Sequence, residues 1–171
     1  MAFFISQENL KAKSLIHGNV DPKTLRVIME RVQLEKIESL LGPATYADLL
    51  AKTNENPSGL NEVEAILINN YVIPYFIIRV EEMATIHYNF QIRAKSVGTA
   101  QDEHATPNNW TDSDKLVNQF TKQAAFYKAK AIDYLKDNLA TFTLYKTETE
   151  HVDKDKDSEA LNWSVATRRV R

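Results

Sequence analysis

Four histidines, at positions 17, 87, 104 and 151, are the side chains of this sequence best suited to metal binding or proton transfer. None of them has a second histidine at the spacings H-x-x-x-H or H-E-x-x-H, which place two imidazoles on one helix face. The chain has no cysteine, so it has no thiolate nucleophile and no cysteine-based zinc site. The sequence therefore predicts no metal site, and the histidines are interpreted as surface or packing residues.

The pair Glu81-Glu82, followed by His87 on the same predicted helix, could in principle act as an acid and a base. We favour a plainer interpretation, in which the carboxylates lie on a solvated face and pair with Arg79 or Arg93. The four glycines form no phosphate-binding loop, no G-x-G-x-x-G and no G-x-S-x-G motif. The sequence predicts a protein that is not an enzyme, without catalytic residues and without a cofactor.

Composition limits the class of protein further. A chain of 171 residues with 43% hydrophobic residues suits one globular domain with a sizeable core. A net charge of −2 argues against wholesale binding to nucleic acid or to an anionic membrane. The N-terminus lacks the basic region of a signal peptide, and the most apolar stretch, residues 66–80, is judged too short and too polar to span a bilayer.

Local start and stop signals place the first helices. Asp21-Pro22 is a helix start, because the carboxylate accepts from free N–H groups and proline fits the first position. Gly42-Pro43 ends that helix and starts another, which predicts a helical elbow. Ser6 predicts a short preceding helix.

A capping box at Asn61 and Glu64 predicts a long helix over 62–88, whose apolar residues make it the centre of the core. Pro74 lies inside this helix, so we expect a kink near residues 70–74. After it, Phe90 and Ile92 alternate with polar residues, and this period of two predicts a protruding β-hairpin near 89–105.

The last long helix is predicted to start between Thr111 and Ser113. A stripe at spacings of three and four indicates its buried face, and Phe126 is interpreted as a core residue with the other helical aromatics. Phe142 and Tyr145 are expected to fold back on the bundle. The stripe consists of Leu116, Phe120, Ala124, Tyr127, Ala131, Tyr134 and Leu135.

The composition changes abruptly after Lys146. Residues 148–159 contain six acidic side chains, and the chain ends in an arginine cluster. Such a segment cannot bury enough apolar surface to fold alone, but its alternating apolar residues could add to a partner as a strand. We therefore divide the chain into a helical domain, 1–145, and an extended docking tail, 146–171. The predicted anchors of the tail are Leu161, Trp163, Val165, Arg168, Arg169 and Arg171.

The order of these pieces resembles that of the head–tail connector (adaptor, or head-completion) proteins of tailed bacteriophages, in particular the crAss-like type. The resemblance covers about residues 3–145, and its motifs are structural rather than chemical. The segments that carry it are 5–10 (ISQENL), 18–21 (GNVD), Ile37 with 40–50 (LLGPATYADLL), 71–74 (YVIP), 90–95 (FQIRAK) and 126–135 (FYKAKAIDYL).

The resemblance implies a mainly α fold: a small bundle of four to five helices with a protruding hairpin. It implies a non-enzymatic virion protein, made in the host cytoplasm, that forms a ring of about twelve copies at the head–tail interface. Its partners would be the portal protein, the next tail or ring protein and, without sequence reading, the DNA in the lumen, with no membrane contact. The hairpin residues Phe90, Ile92, Arg93 and Lys95 would then contact a neighbouring subunit, and the tail would dock on the portal.

An alternative from another class is a small cytoplasmic helical regulator, or a nucleic-acid-binding protein that uses the arginine-rich C-terminus. It predicts salt-dependent affinity for DNA and no ring. A helical hydrolase built on Glu81, Glu82 and His87 is a more distant third possibility.

Overall fold

The computed structural model describes residues 2–16, 20–55, 59–93, 96–99 and 110–145. These residues are mainly helical, which confirms the mainly α part of the predicted fold class. The elements in chain order are α1 (Gln7–Lys13), α2 (Pro22–Val32), α3 (Glu38–Leu41), α4 (Pro43–Glu55), α5 (Glu62–Leu67), α6 (Ile73–Asn89), β1 (Phe90–Arg93), β2 (Ser96–Thr99) and α7 (Trp110–Asp137).

The helix starts and the elbow follow the local signals in the sequence. Asp21 caps α2, where its Oδ2 accepts from the Thr24 N–H at 2.8 Å, and Pro22 takes the first helical position. Gly42 ends α3 with φ +75°, a backbone conformation that glycine adopts without steric cost, and Pro43 begins α4. The predicted elbow is confirmed.

Two of the three long predicted helices contain a π-helical turn that sequence reasoning missed. Gln33–Ile37 joins α2 to α3, and Ile68–Val72 joins α5 to α6. In the second turn the Ile73 N–H donates to the Ile68 carbonyl, five residues back. Pro74 follows at once, and its missing N–H removes one bond of the regular ladder. This π-helical turn overlaps the stretch 70–74 in which we expected a kink.

The core is built around α6, which packs against α2 and α7. Phe76 of α6 is fully buried, and the stripe of α7 is buried at Phe120, Ala124, Ala131 and Leu135. Phe142 and Tyr145 fold back and are buried as predicted.

The prediction of a core role is wrong for Phe126, whose side chain is 57% exposed. It lies two residues after the buried Ala124, and a step of two residues is about 200° around a helix, so Phe126 faces away from the core. Leu116, at the start of the predicted stripe, is also largely exposed.

A buried glutamine ties the N-terminal segment to the bundle. Gln33 is fully buried at the start of the first π-helical turn. Its Oε1 accepts from the Phe4 N–H at 3.3 Å, and its Nε2 donates to the Ala2 carbonyl at 2.8 Å and to the Tyr46 hydroxyl at 3.0 Å. One side chain thus joins three segments of the chain.

The stretch Glu62–His87, 26 residues, is long and apolar enough to cross a membrane by length and composition. This corrects the expectation drawn from residues 66–80, because the helix extends beyond them on both sides. Half of its most apolar window is buried inside the fold, as in the core helix of a bundle, so the stretch is weak evidence for a membrane span.

The strands β1 and β2 pair antiparallel, with Phe90 opposite Thr99 and Arg93 opposite Ser96. Three of the predicted hairpin residues, Phe90, Ile92 and Arg93, therefore lie on β1, directly after α6. The fourth, Lys95, lies outside the described residues. So does the whole predicted tail, 146–171, with its anchors.

Candidate functional site

Glu81 of α6 is buried, although its sequence context predicted a solvated face. Its Oε1 accepts from the Leu15 N–H at 2.7 Å, which fixes the segment after α1 against α6. Burial raises the pKa of the Glu81 carboxyl above its usual 4.5, and the bond from Leu15 offsets part of that effect. The prediction of a solvated face is wrong at Glu81 because the segment after α1 packs against this position. Leu15 and Glu81, which make the contact, are 66 positions apart in the chain.

Glu82, the next residue, has a structural role between α6 and α7. It pairs with Arg79 one turn earlier, as predicted, and its Oε1 accepts from the Thr121 hydroxyl of α7 at 2.8 Å. The Arg79 guanidinium also lies 5.4 Å from the centre of the Tyr75 ring. Each oxygen of this carboxylate therefore has a structural partner.

The structure does not bring Glu81 and His87 together. Glu81 lines a groove of about 320 Å³ together with Lys13 and Tyr127, whereas His87 lines a different groove between α2 and α6. Among the described residues, no group of three or more His, Asp or Glu side chains could hold a metal ion. Glu81 and His87 therefore do not share a site in which they could act together as an acid and a base.

The groove between α2 and α6 has a volume of about 350 Å³ and is defined here as the α2–α6 groove. Its wall is formed by apolar side chains, by basic side chains and by Thr24. Arg31 is exposed and has no acidic partner among the described residues. The lining residues are Lys23, Thr24, Val27, Ile28, Arg31, Met83 and His87.

Two further apolar side chains, Phe126 and Leu34, are exposed on surfaces whose flanking charges differ. Phe126 of α7 has the exposed Lys122 and Lys130 one helical turn away on either side, and the Lys130 ammonium is 5.9 Å from its ring centre. Leu34, just after α2, is 47% exposed; Glu35 and Glu38 lie near it, and so do the basic Arg31 and Lys36. The first is called the α7 surface below, and the second the Leu34 surface.

Residues 37–154, more than half of the chain, match the sequence profile of one protein family. The chain belongs to a family of unknown function (DUF6712). The DUF6712 match includes α3 to α7 and therefore the α7 surface. It leaves out α1 and α2, and α2 supplies one wall of the α2–α6 groove. Neither a curated protein nor a solved structure matches the chain.

Sequence reasoning missed both grooves and both exposed apolar surfaces. The helical phase could have identified the α7 surface, since Phe126 is out of step with the stripe that includes Ala124 and Ala131. The α2–α6 groove had no such signal, because Val27 and Met83 meet only when the helices pack.

Proposed function

We propose that this protein is a non-enzymatic virion structural protein that forms a connector ring between portal and tail, with DNA passing through the lumen. The resemblance in element order to phage connector proteins motivates the proposal. The observation that carries it is the presence of two different exposed apolar surfaces, one flanked by lysines at Phe126 and one flanked by both glutamates and basic side chains at Leu34.

A closed ring needs two distinct surfaces on each subunit, because its contacts are heterologous. The α7 surface is apolar with flanking lysines, and the Leu34 surface is apolar with two glutamates, Glu35 and Glu38, beside Arg31 and Lys36. The α7 surface of one copy would thus pack against the Leu34 surface of the next, with its lysines opposite the glutamates. Opposite charges around an apolar centre would set the register of such a contact.

The hairpin and the tail complete the proposal. The β1–β2 pair would lie beside that of a neighbouring subunit, since the outer edge of a two-stranded sheet has unpaired backbone groups. The tail would dock on the portal through Trp163 and the terminal arginines.

The direct test is quantitative mass spectrometry of purified phage particles from the source of this sequence. A ratio of this chain to the portal protein near one, or another small integer ratio, is the expected result. Absence of the chain from intact particles would overturn the proposal.

A further inference from the structure

We infer that the α2–α6 groove binds the chain's own C-terminal segment, with Trp163 as the side chain that enters it. The groove has an apolar part at Val27, Ile28 and Met83 and is open to solvent. Its volume of about 350 Å³ is at the small end of protein binding pockets, which suits one large side chain rather than an extended ligand. Trp is the residue that most often anchors such contacts.

Charge favours this segment as the occupant. Lys23, Arg31 and His87 line the groove, and Arg31 has no acidic partner among the described residues. The segment 148–159, which precedes Trp163, contains six acidic residues and two lysines. An acidic approach beside an apolar anchor is therefore complementary to a basic and apolar groove. The terminal arginines follow Trp163 by five residues or more and can point away from it.

The length of the chain permits the contact. The described residues end at Tyr145, which is buried against the core, and Trp163 follows 18 residues later. Eighteen extended residues span up to ~60 Å. The longest helix, α7, has 28 residues and a length of ~42 Å. The segment can therefore reach a groove anywhere on the bundle.

The consequence for assembly rests on the proposed function. If the tail docks on the portal, its principal anchor is held in the α2–α6 groove of the free chain and must leave it on docking. The subunit would then present its tail fully only where a portal competes for it.

Trp fluorescence of the free, full-length chain tests the contact. The chain has two tryptophans, so Trp110→Phe leaves Trp163 as the only one. We expect Trp163 to emit at a shorter wavelength in this variant than in a synthetic peptide of residues 146–171. Adding Val27→Asp or Arg31→Glu should shift the emission to that of the peptide, whereas Lys122→Glu on α7 should not. Circular dichroism checks that each variant is folded.

Cross-linking provides a second measurement, which the absence of native cysteine makes specific. Oxidation of the Val27→Cys, Ser164→Cys double variant, which keeps Trp163, should give an intramolecular disulfide at least about tenfold faster than oxidation of an Ala51→Cys, Ser164→Cys control, because binding raises the local concentration. Ala51 is exposed on α4 and does not line the groove.

Three results would overturn the inference. They are an emission identical to that of the peptide, equal cross-linking at Val27 and Ala51, and a disulfide that forms only between two molecules. The last would assign the groove to the tail of a second copy. None of them bears on whether the chain is present in phage particles, so the two proposals fail separately.

Discussion

At the scale of single residues, Gln33 shows how one buried amide holds distant segments together. Replacing it with alanine leaves the Phe4 N–H, the Ala2 carbonyl and the Tyr46 hydroxyl without this partner and opens a cavity. We expect Gln33→Ala to lower the free energy of unfolding by about 3 kcal/mol, measured by urea denaturation.

Tyr46→Phe is the matched partial change, because it removes a single bond of the same amide and keeps the ring, which packs edge-on against Phe4. Its cost should be about 1 kcal/mol. Equal losses for the two variants would show that the amide contributes nothing beyond its contact with Tyr46.

Glu81 gives a pH dependence whose sign follows from burial. Its folded-state pKa lies above the usual 4.5, so the folded state binds this proton more tightly than the unfolded state does. The contribution of Glu81 to stability is therefore most favourable at low pH, falls as pH rises from the unfolded pKa through the folded pKa, and then stays constant. In Glu81→Gln the amide oxygen can still accept from Leu15, and the ionisation is lost.

We therefore expect the stability of the wild type relative to Glu81→Gln to fall as pH increases above 4.5 and then to level off. Urea unfolding of both proteins across a pH series measures this difference. The exposed Glu8, replaced with Gln, serves as the control. A pH-independent difference between wild type and Glu81→Gln would contradict the burial argument.

At the scale of elements, the capping box at the start of α5 is a local feature whose contribution to the free energy of unfolding can be measured. The Asn61 side chain accepts from the Glu64 N–H at 2.8 Å, and the Glu64 carboxylate accepts from the Asn61 N–H at 2.9 Å. We expect Asn61→Ala to cost about 1 kcal/mol in urea unfolding. Asn54→Ala, at an exposed position near the end of α4, should change stability by less than ~0.5 kcal/mol. If both changes altered the free energy of unfolding by a similar amount, the capping box would not have the stabilising role described here.

These elements also show what the sequence could and could not predict. The caps at Asp21 and Asn61 depend on groups within three residues, so local chemistry was sufficient. The burial of Gln33 and Glu81 depends on partners 29 and 66 residues away, which no local pattern records. The π-helical turns were missed for a related reason. A proline marks one of them, but nothing in the local sequence marks Gln33–Ile37.

At the scale of the whole molecule, the candidate surfaces illustrate the same limit. The hairpin and the tail could be identified as candidate contact segments from the residue pattern and composition of the sequence. The α2–α6 groove and the Leu34 surface arise from packing and helical phase after folding. The interfaces proposed here therefore combine a segment that composition identifies with surfaces that only the packed helices create.

A ring contact between the α7 surface and the Leu34 surface predicts a specific pattern of cross-links. In this cysteine-free chain, Glu35→Cys beside Leu34 and Ala129→Cys beside Phe126 can be made as separate proteins that keep both apolar side chains. When the two variants are mixed in particles or in rings assembled on the portal, a short bismaleimide should cross-link them into heterodimers. Each variant alone should give far fewer dimers, because a heterologous contact never places a surface against its own copy. Both positions are exposed, so neither change should disturb the fold. Equal dimer yields from the single variants would instead indicate an isologous pair, which cannot propagate into a ring through one type of contact.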